Sequence, residues 1–199
     1  MRGNSCTVAG IDLAGVSHRP SGCCLLDGLK ADTKLLYTDE EILDWVRKEK
    51  PALIAIDAPL TLPPGRKSID ERNESHYRPC DMELRRRKIP FFPITLGPMR
   101  VLTKRGIKLR EVLERAGFRV VEIYPGGAQD IWGIPRARHN LSGLRDGLRK
   151  RGISGLKKQC TDHELDAASG ALVGHLFLQE KAEVYGDFKS GAIIMPPQS

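Results

Sequence analysis

Long apolar runs are missing from this sequence. Nothing in it approaches the roughly 20 consecutive apolar residues of a membrane-spanning helix. The opening stretch MRGNSCTVAG also lacks the apolar centre of a secretion signal. These two absences predict a cytoplasmic protein with no membrane partner. Cysteine is sparse and poorly spaced: Cys6, Cys23, Cys24, Cys80 and Cys160 form an odd set with no C-x-x-C. Reduced, mostly buried thiols are expected. Zinc is disfavoured, because His76 and Cys80 make only a pair. The loops that cradle nucleotide phosphates, G-x-x-x-x-G-K-[ST] and G-x-G-x-x-G, are absent. The chain is also too short for the two lobes of an actin-like phosphotransferase. Ser169 and His175 share a helical stretch, but without G-x-S-x-G they give no support to serine-hydrolase chemistry. No internal repeat or low-complexity tract is present.

What remains is an ordinary globular composition, 40% apolar and 29% charged over 199 residues. It is read as a single domain, 1–199. The net charge of +7 is unevenly placed. Residues 60–158 carry 23 Lys and Arg against 10 Asp and Glu, and the rest of the chain carries 9 against 15. Phosphate backbones attract the first kind of surface and divalent cations the second. The plain alternative is a solvated basic face with no partner.

SCTVAGI (Ser5 to Ile11) reads as a buried strand ending in Asp12, with Val8, Gly10 and Asp12 on one face. SGCCLL (Ser21 to Leu26) and Lys34 to Tyr37 continue it as an antiparallel meander. Thr38-Asp39-Glu40-Glu41 opens a helix that Pro51 stops. ALIAI (Ala52 to Ile56) is the continuous apolar run of a central parallel strand, ending in Asp57. The crossover helix places this strand beside the first, so both end at one sheet edge. Residues 61–98 break the pattern with six prolines, two glycines and the run Arg85-Arg86-Arg87-Lys88. They read as an irregular basic insertion with a helix near 80–88. Met99 to Ala116 is a helix expected to be interrupted near Gly106, and Phe118 to Tyr124 is a fifth strand with Glu122 near its end. Ala128 to Trp132 reads as a helical turn and Leu141 to Leu156 as one or two short helices. Val184-Tyr185 and Ala192 to Met195 read as a terminal hairpin or edge strand.

TDHELDAASGALVGHLF (Thr161 to Phe177) is the organising helix. Thr161 or Asp162 caps it, and its small residues let it lie close on a sheet. Asp166 shares its packing face with Gly170, Val173 and Phe177, and His163 lies one turn earlier. Asp12, Asp57 and Asp166 thus gather at one place, and Glu122 sits nearby as a further ligand or a supporting carboxylate. Hard divalent ions take such oxygen sets, and two of them about 4 Å apart can drive phosphodiester cleavage. Each acid also has a plainer reading: Asp12 as a turn residue, Asp57 as a strand end, Asp166 as a helix-dipole partner, Glu122 as the mate of an arginine.

GIDLAG (Gly10 to Gly15), IAIDAPL (Ile54 to Leu60) and HELDAASGAL (His163 to Leu172), in this order of elements, resemble the RNase H-like superfamily. The resemblance is to its RuvC type, whose helix carries D/H-x-x-D, matched here by His163 and Asp166. More narrowly, these motifs with RPCDMELRRRKIPFFP (Arg78 to Pro93) and VVEIYPGGA (Val120 to Ala128) resemble the domain-of-unknown-function 429 family of predicted nucleases. The resemblance implies an α/β fold with a five-stranded mixed sheet, order 3-2-1-4-5, flanked by helices. It also implies metal-dependent phosphodiester chemistry. RuvC resolvases usually carry Glu where this chain has Asp57, so junction-specific cleavage is not carried over.

The leading expectation is a Mg²⁺- or Mn²⁺-dependent nuclease acting on DNA or RNA by a two-metal-ion mechanism. Asp12, Asp57 and Asp166 would hold metal, and His163 and Glu122 complete the catalytic set. Arg78, Arg85, Arg86, Arg87 and Lys88 would contact phosphates, and His76 and Tyr77 are candidates to stack on a base. The alternative is a non-catalytic nucleic-acid-binding module on the same fold. The oligomeric state is open, a dimer included.

Overall fold

The computed structural model describes residues 7–198. The first strand, β1 (Val8–Asp12), runs antiparallel to β2 (Ser21–Asp27), which pairs with β3 (Lys30–Leu36). The start of the expected first strand, with Cys6, lies outside the described residues; the other four cysteines are free and buried. Helix α1 (Asp39–Glu49) begins at a Thr38–Glu41 capping box and ends at Lys50, in the left-handed region at φ 51°. Strand β4 (Leu53–Asp57) then lies parallel to β1, with Asp12 paired directly to Asp57. The insertion contributes α2 (Pro79–Arg86) and leads into α3 (Gly97–Arg115). Beyond these come β5 (Val120–Ile123), α4 (Pro125–Ile131), α5 (Leu141–Lys150), α6 (Asp162–Leu178), β6 (Glu183–Asp187) and β7 (Gly191–Met195).

The sheet order is β3-β2-β1-β4-β5-β7-β6. Its first five strands have the expected RNase H-like order, and the terminal hairpin extends the sheet from five strands to seven. β7 joins parallel to β5, pairing Glu122 with Ile193. Cys80 and Leu84 of α2 then bury Tyr185, Ile193 and Met195. The hairpin is apolar enough to demand that cover. The expected break in α3 at Gly106 does not occur. A side chain there would come within 2.8 Å of the Pro59 carbonyl, so this glycine serves close packing rather than a turn.

Alternation along the strands divides the core. Val8, Cys24, Leu53, Ala55, Val121 and Ile123 pack with α6 on one face. Ala9, Ile11, Cys23, Ile54 and Ile56 pack against α1 and α3 on the other. Helix α6 starts at Thr161, whose hydroxyl accepts from Glu164 N while Glu164 accepts from Thr161 N. Glu164 also accepts from Thr33 Oγ1 at 2.7 Å, tying the helix to β3. The helix then runs extremely close to the sheet. A Cβ on Gly10 would fall 2.1 Å from Ala167 O, and one on Gly22 would fall 2.0 Å from His163 O. Both neighbours are backbone, so neither can turn aside.

Gly10→Ala should therefore force α6 off the sheet, an overpacking cost of about 1–3 kcal/mol or more. For a chain of this size that lowers Tm by about 2–12 °C, measurable by differential scanning calorimetry.

Candidate metal centre

Asp12 ends β1 and Asp57 ends β4, and their register makes them direct neighbours on parallel strands. By alternation both share the face covered by α6. The loop after Asp12 is pinned from two sides: Ala14 N donates to Ser21 Oγ at 3.0 Å, and Arg105 donates to Ala14 O at 2.6 Å. Arg105 also bonds Asp39 and the Tyr37 carbonyl. The first two turns of α6 bring His163 and Asp166 over this edge.

His163 Nδ1 lies 2.6 Å from Asp12 Oδ2. Asp166 Oδ1 accepts from Gln129 Nε2 at 2.6 Å, and the same Nε2 group donates to Ser169 Oγ at 3.0 Å. Asp12 and Asp166 are thus each occupied by a neighbouring donor. Among the described residues no three His, Cys, Asp or Glu side chains meet at a single ion-sized point.

The carboxyls nonetheless sense one another. Burial, then the charges of Asp12, Asp166 and Glu122, hold Asp57 well above the usual carboxylate range, against the pull of Arg136. Asp57 opens partly onto a pocket, which softens the push from burial. Asp166 is pushed up to about 7, by burial first and by Asp12 second, against the Gln129 hydrogen bond. His163 is raised by its bond to Asp12. Burial first, and mutual repulsion second, make these carboxyls favour a bound proton over a bare charge.

Glu122 is close enough for its charge to reach Asp57, but its side chain is directed elsewhere. It pairs in register with Ile56, not Asp57, so alternation turns it to the opposite face. There its carboxylate accepts from Arg78 at 2.7 and 2.8 Å and from Leu60 N at 2.8 Å. Burial still pushes it up, and Arg78 holds it back. Its expected place among the catalytic acids is corrected accordingly: it anchors the insertion to β5. Arg78 is corrected with it. The side chain is 2% exposed, and it bonds Asp81 as well as Glu122, so it cannot reach a phosphate.

The rest of the basic run divides. Arg86 pairs with Glu83; Arg87 pairs with Glu83 and Glu183 and lies 4.3 Å from the Tyr185 ring centroid. Arg85 and Lys88 are exposed, and neither has an acidic partner among the described residues. His76 Nδ1 lies 3.0 Å from Thr95 Oγ1, and Tyr77 packs edge-on against Phe91. Two residues of the centre escaped sequence reasoning. Gln129 is buried in a helix with no chemical signature, although a polar side chain within PGGAQDI was a signal. Arg136, bonded to Asp130 through Nε at 3.0 Å, was hidden among the many arginines of the basic middle.

Raised carboxyls make the folded chain bind more protons than the unfolded one, from the ordinary carboxylate range up to about 7. The raised His163 acts in the same direction. Stability of the metal-free protein should therefore fall as pH rises from about 5 to about 8. Asp57→Asn should raise Tm at the upper pH by about 2–5 °C and flatten the pH profile. Thermal melts across that range in EDTA check both.

Among curated proteins, none matches the chain. Two solved structures resemble it. One, RuvC of Thermus thermophilus, is 14% identical with a TM-score of 0.49, over 96% of this chain and 99% of that one. The other, T. thermophilus RuvC in complex with a Holliday junction substrate, is 15% identical with a TM-score of 0.46, over 87% and 95%. Scores this low say nothing of chemistry, and the fold assignment rests on the strand order itself. A family model covers most of the sequence, residues 10–189, and the chain belongs to that family, described as Protein of unknown function (DUF429).

Proposed function

We propose that this protein is a Mg²⁺- or Mn²⁺-dependent nuclease that hydrolyses phosphodiester bonds of DNA or RNA. The observation that carries the reading is the in-register pair Asp12 and Asp57 under Asp166, with too little positive charge around them. The donor set fits a hard divalent ion. It is made of carboxylate oxygens on two strands and a helix, and among the described residues no hydrogen bond offsets the raised Asp57 carboxyl. Asp12 and Asp166 would turn from His163 and Gln129 to ligate, with Asp57 as third ligand. When bound, a pair of such ions supplies a more acidic water and charge on the leaving oxygen.

The chain's own residues do the rest. In the metal-free centre His163 and Gln129 hold Asp12 and Asp166 in place until the ions are taken up. Arg136 faces the centre as a cation for a phosphate oxygen. Arg85 and Lys88 are the members of the basic run placed to meet a nucleic-acid backbone, as expected for contacts that position rather than specify. No described helix is long and apolar enough to cross a membrane.

The test is a cleavage screen of single-stranded, duplex and branched DNA and RNA with Mn²⁺, Mg²⁺ or EDTA. Metal-dependent cleavage is expected. Asp12→Asn should reduce it on the order of 100-fold or more, roughly 2.7 kcal/mol of barrier. Undiminished cleavage by that variant contradicts the assignment. Salt-sensitive binding without turnover on any substrate would favour the non-catalytic binding module instead.

A further inference from the structure

The α2–α3 linker and the start of α3 enclose a pocket that ends on Asp57. Its volume is about 180 Å³, below the roughly 300–1,000 Å³ of pockets that hold drug-sized ligands. One planar ring system fits such a space. Phe91, Phe92 and Tyr124 line it with Met99 and Leu102. The walls are braced. Tyr124 Oη donates to the Pro90 carbonyl at 2.6 Å, and Tyr77 meets Phe91 edge-on at 6.2 Å between centroids. Phe92 is 66% exposed at the surface. Tyr77, Met82, Phe92, Leu96 and Val101 are all exposed within one segment of the chain, and the same segment carries Arg85, 6.0 Å from the Tyr77 ring centroid, and Lys88, neither with an acidic partner among the described residues. Scattered apolar side chains need no explanation, but aromatics interleaved with cations beside an acid centre do.

We propose that this pocket receives a nucleobase unstacked beside the scissile phosphate, and that the substrates are nucleic acids with unpaired nucleotides. The inference rests on the nuclease reading above and names its substrate class. A base offers two apolar faces to aromatic walls, while its phosphate stays outside, near the carboxylates and the cations. A base held in a duplex is covered on both faces and cannot enter. Mostly apolar walls, with the mutually bonded Arg78, Asp81 and Glu122 among them, open onto the Asp57 carboxyl and suit a ligand that is flat and uncharged at one end and anionic at the other.

The probe is a DNA duplex with one unpaired 2-aminopurine, compared with the same duplex fully paired. Asp12→Asn protein in Mg²⁺ holds cleavage off during the binding measurement. The unpaired probe should bind about 10-fold more tightly, with its fluorescence quenched by stacking. Phe92→Ala in the same background should abolish the quenching and weaken binding about 5- to 50-fold, and Phe92→Leu should fall between. Phe92 is exposed, and an unchanged Tm shows that the variant folds. Equal affinity for both probes, or quenching that survives Phe92→Ala, overturns the proposal. Metal-dependent cleavage that ignores pairing overturns it while leaving the nuclease reading intact. Failure of either probe to bind, with no metal-dependent cleavage, removes both.

Discussion

Two missing side chains set the distance between helix α6 and the sheet. Gly10 and Gly22 leave the backbone of β1 and β2 bare where His163, Ala167 and Ala171 pass over it. An ordinary residue at either position would push the helix outward by an ångström or more. His163 Nδ1 would then lose its 2.6 Å approach to Asp12, and Asp166 would leave the edge where β1 and β4 end. The site is therefore a consequence of close packing. Helix α6 contributes its chemistry through its first two turns because the stretch that follows, Ala167 to Gly174, is thin enough to be buried against the sheet.

That closeness has an electrostatic cost. Carboxyls brought together in a partly dry setting raise one another, as Asp57 and Asp166 do. The protein relieves the strain with local donors, His163 for Asp12 and Gln129 for Asp166, while Asp57 has none among the described residues. A stable fold has no use for such a cluster, since apolar residues would pack the same edge at lower cost. An arrangement that is uncomfortable alone and comfortable with cations is the form expected of a metal centre. The buried Arg78–Asp81–Glu122 group is a contrast. There two acids share a guanidinium, every charge is bonded, and the group holds the insertion on the sheet.

Much of this was legible in the residues. The spacing of GIDLAG, the crossover helix and IAIDAPL dictates that β1 and β4 lie side by side with acids at one edge, because a right-handed parallel connection leaves little choice. Thr161 or Asp162 as a cap, with acids in the first turn, marked the start of α6, and the structure settles the cap on Thr161. What escaped reading depends on register and on distant partners. Glu122 looked like a fourth acid until its pairing with Ile56 turned it to the other face. Arg78 looked like the first cation of a basic run, and only the burial of α2 against the terminal hairpin shows that it is internal. Gly106 carries the same letter as a turn glycine, and only Pro59 beside it explains its presence in a helix. Gln129 has no motif, because its role exists only where α4 meets α6.

The central claim is that acids from β1, β4 and α6 together hold divalent metal. A crystal structure of the protein soaked in Mn²⁺, with anomalous data collected at the manganese edge, tests it most directly. The account predicts anomalous density ligated by Asp12 together with Asp57 or Asp166, with Asp12 swung away from His163. A well-ordered crystal with no such density at this edge, or with manganese bound elsewhere on the chain, would contradict it.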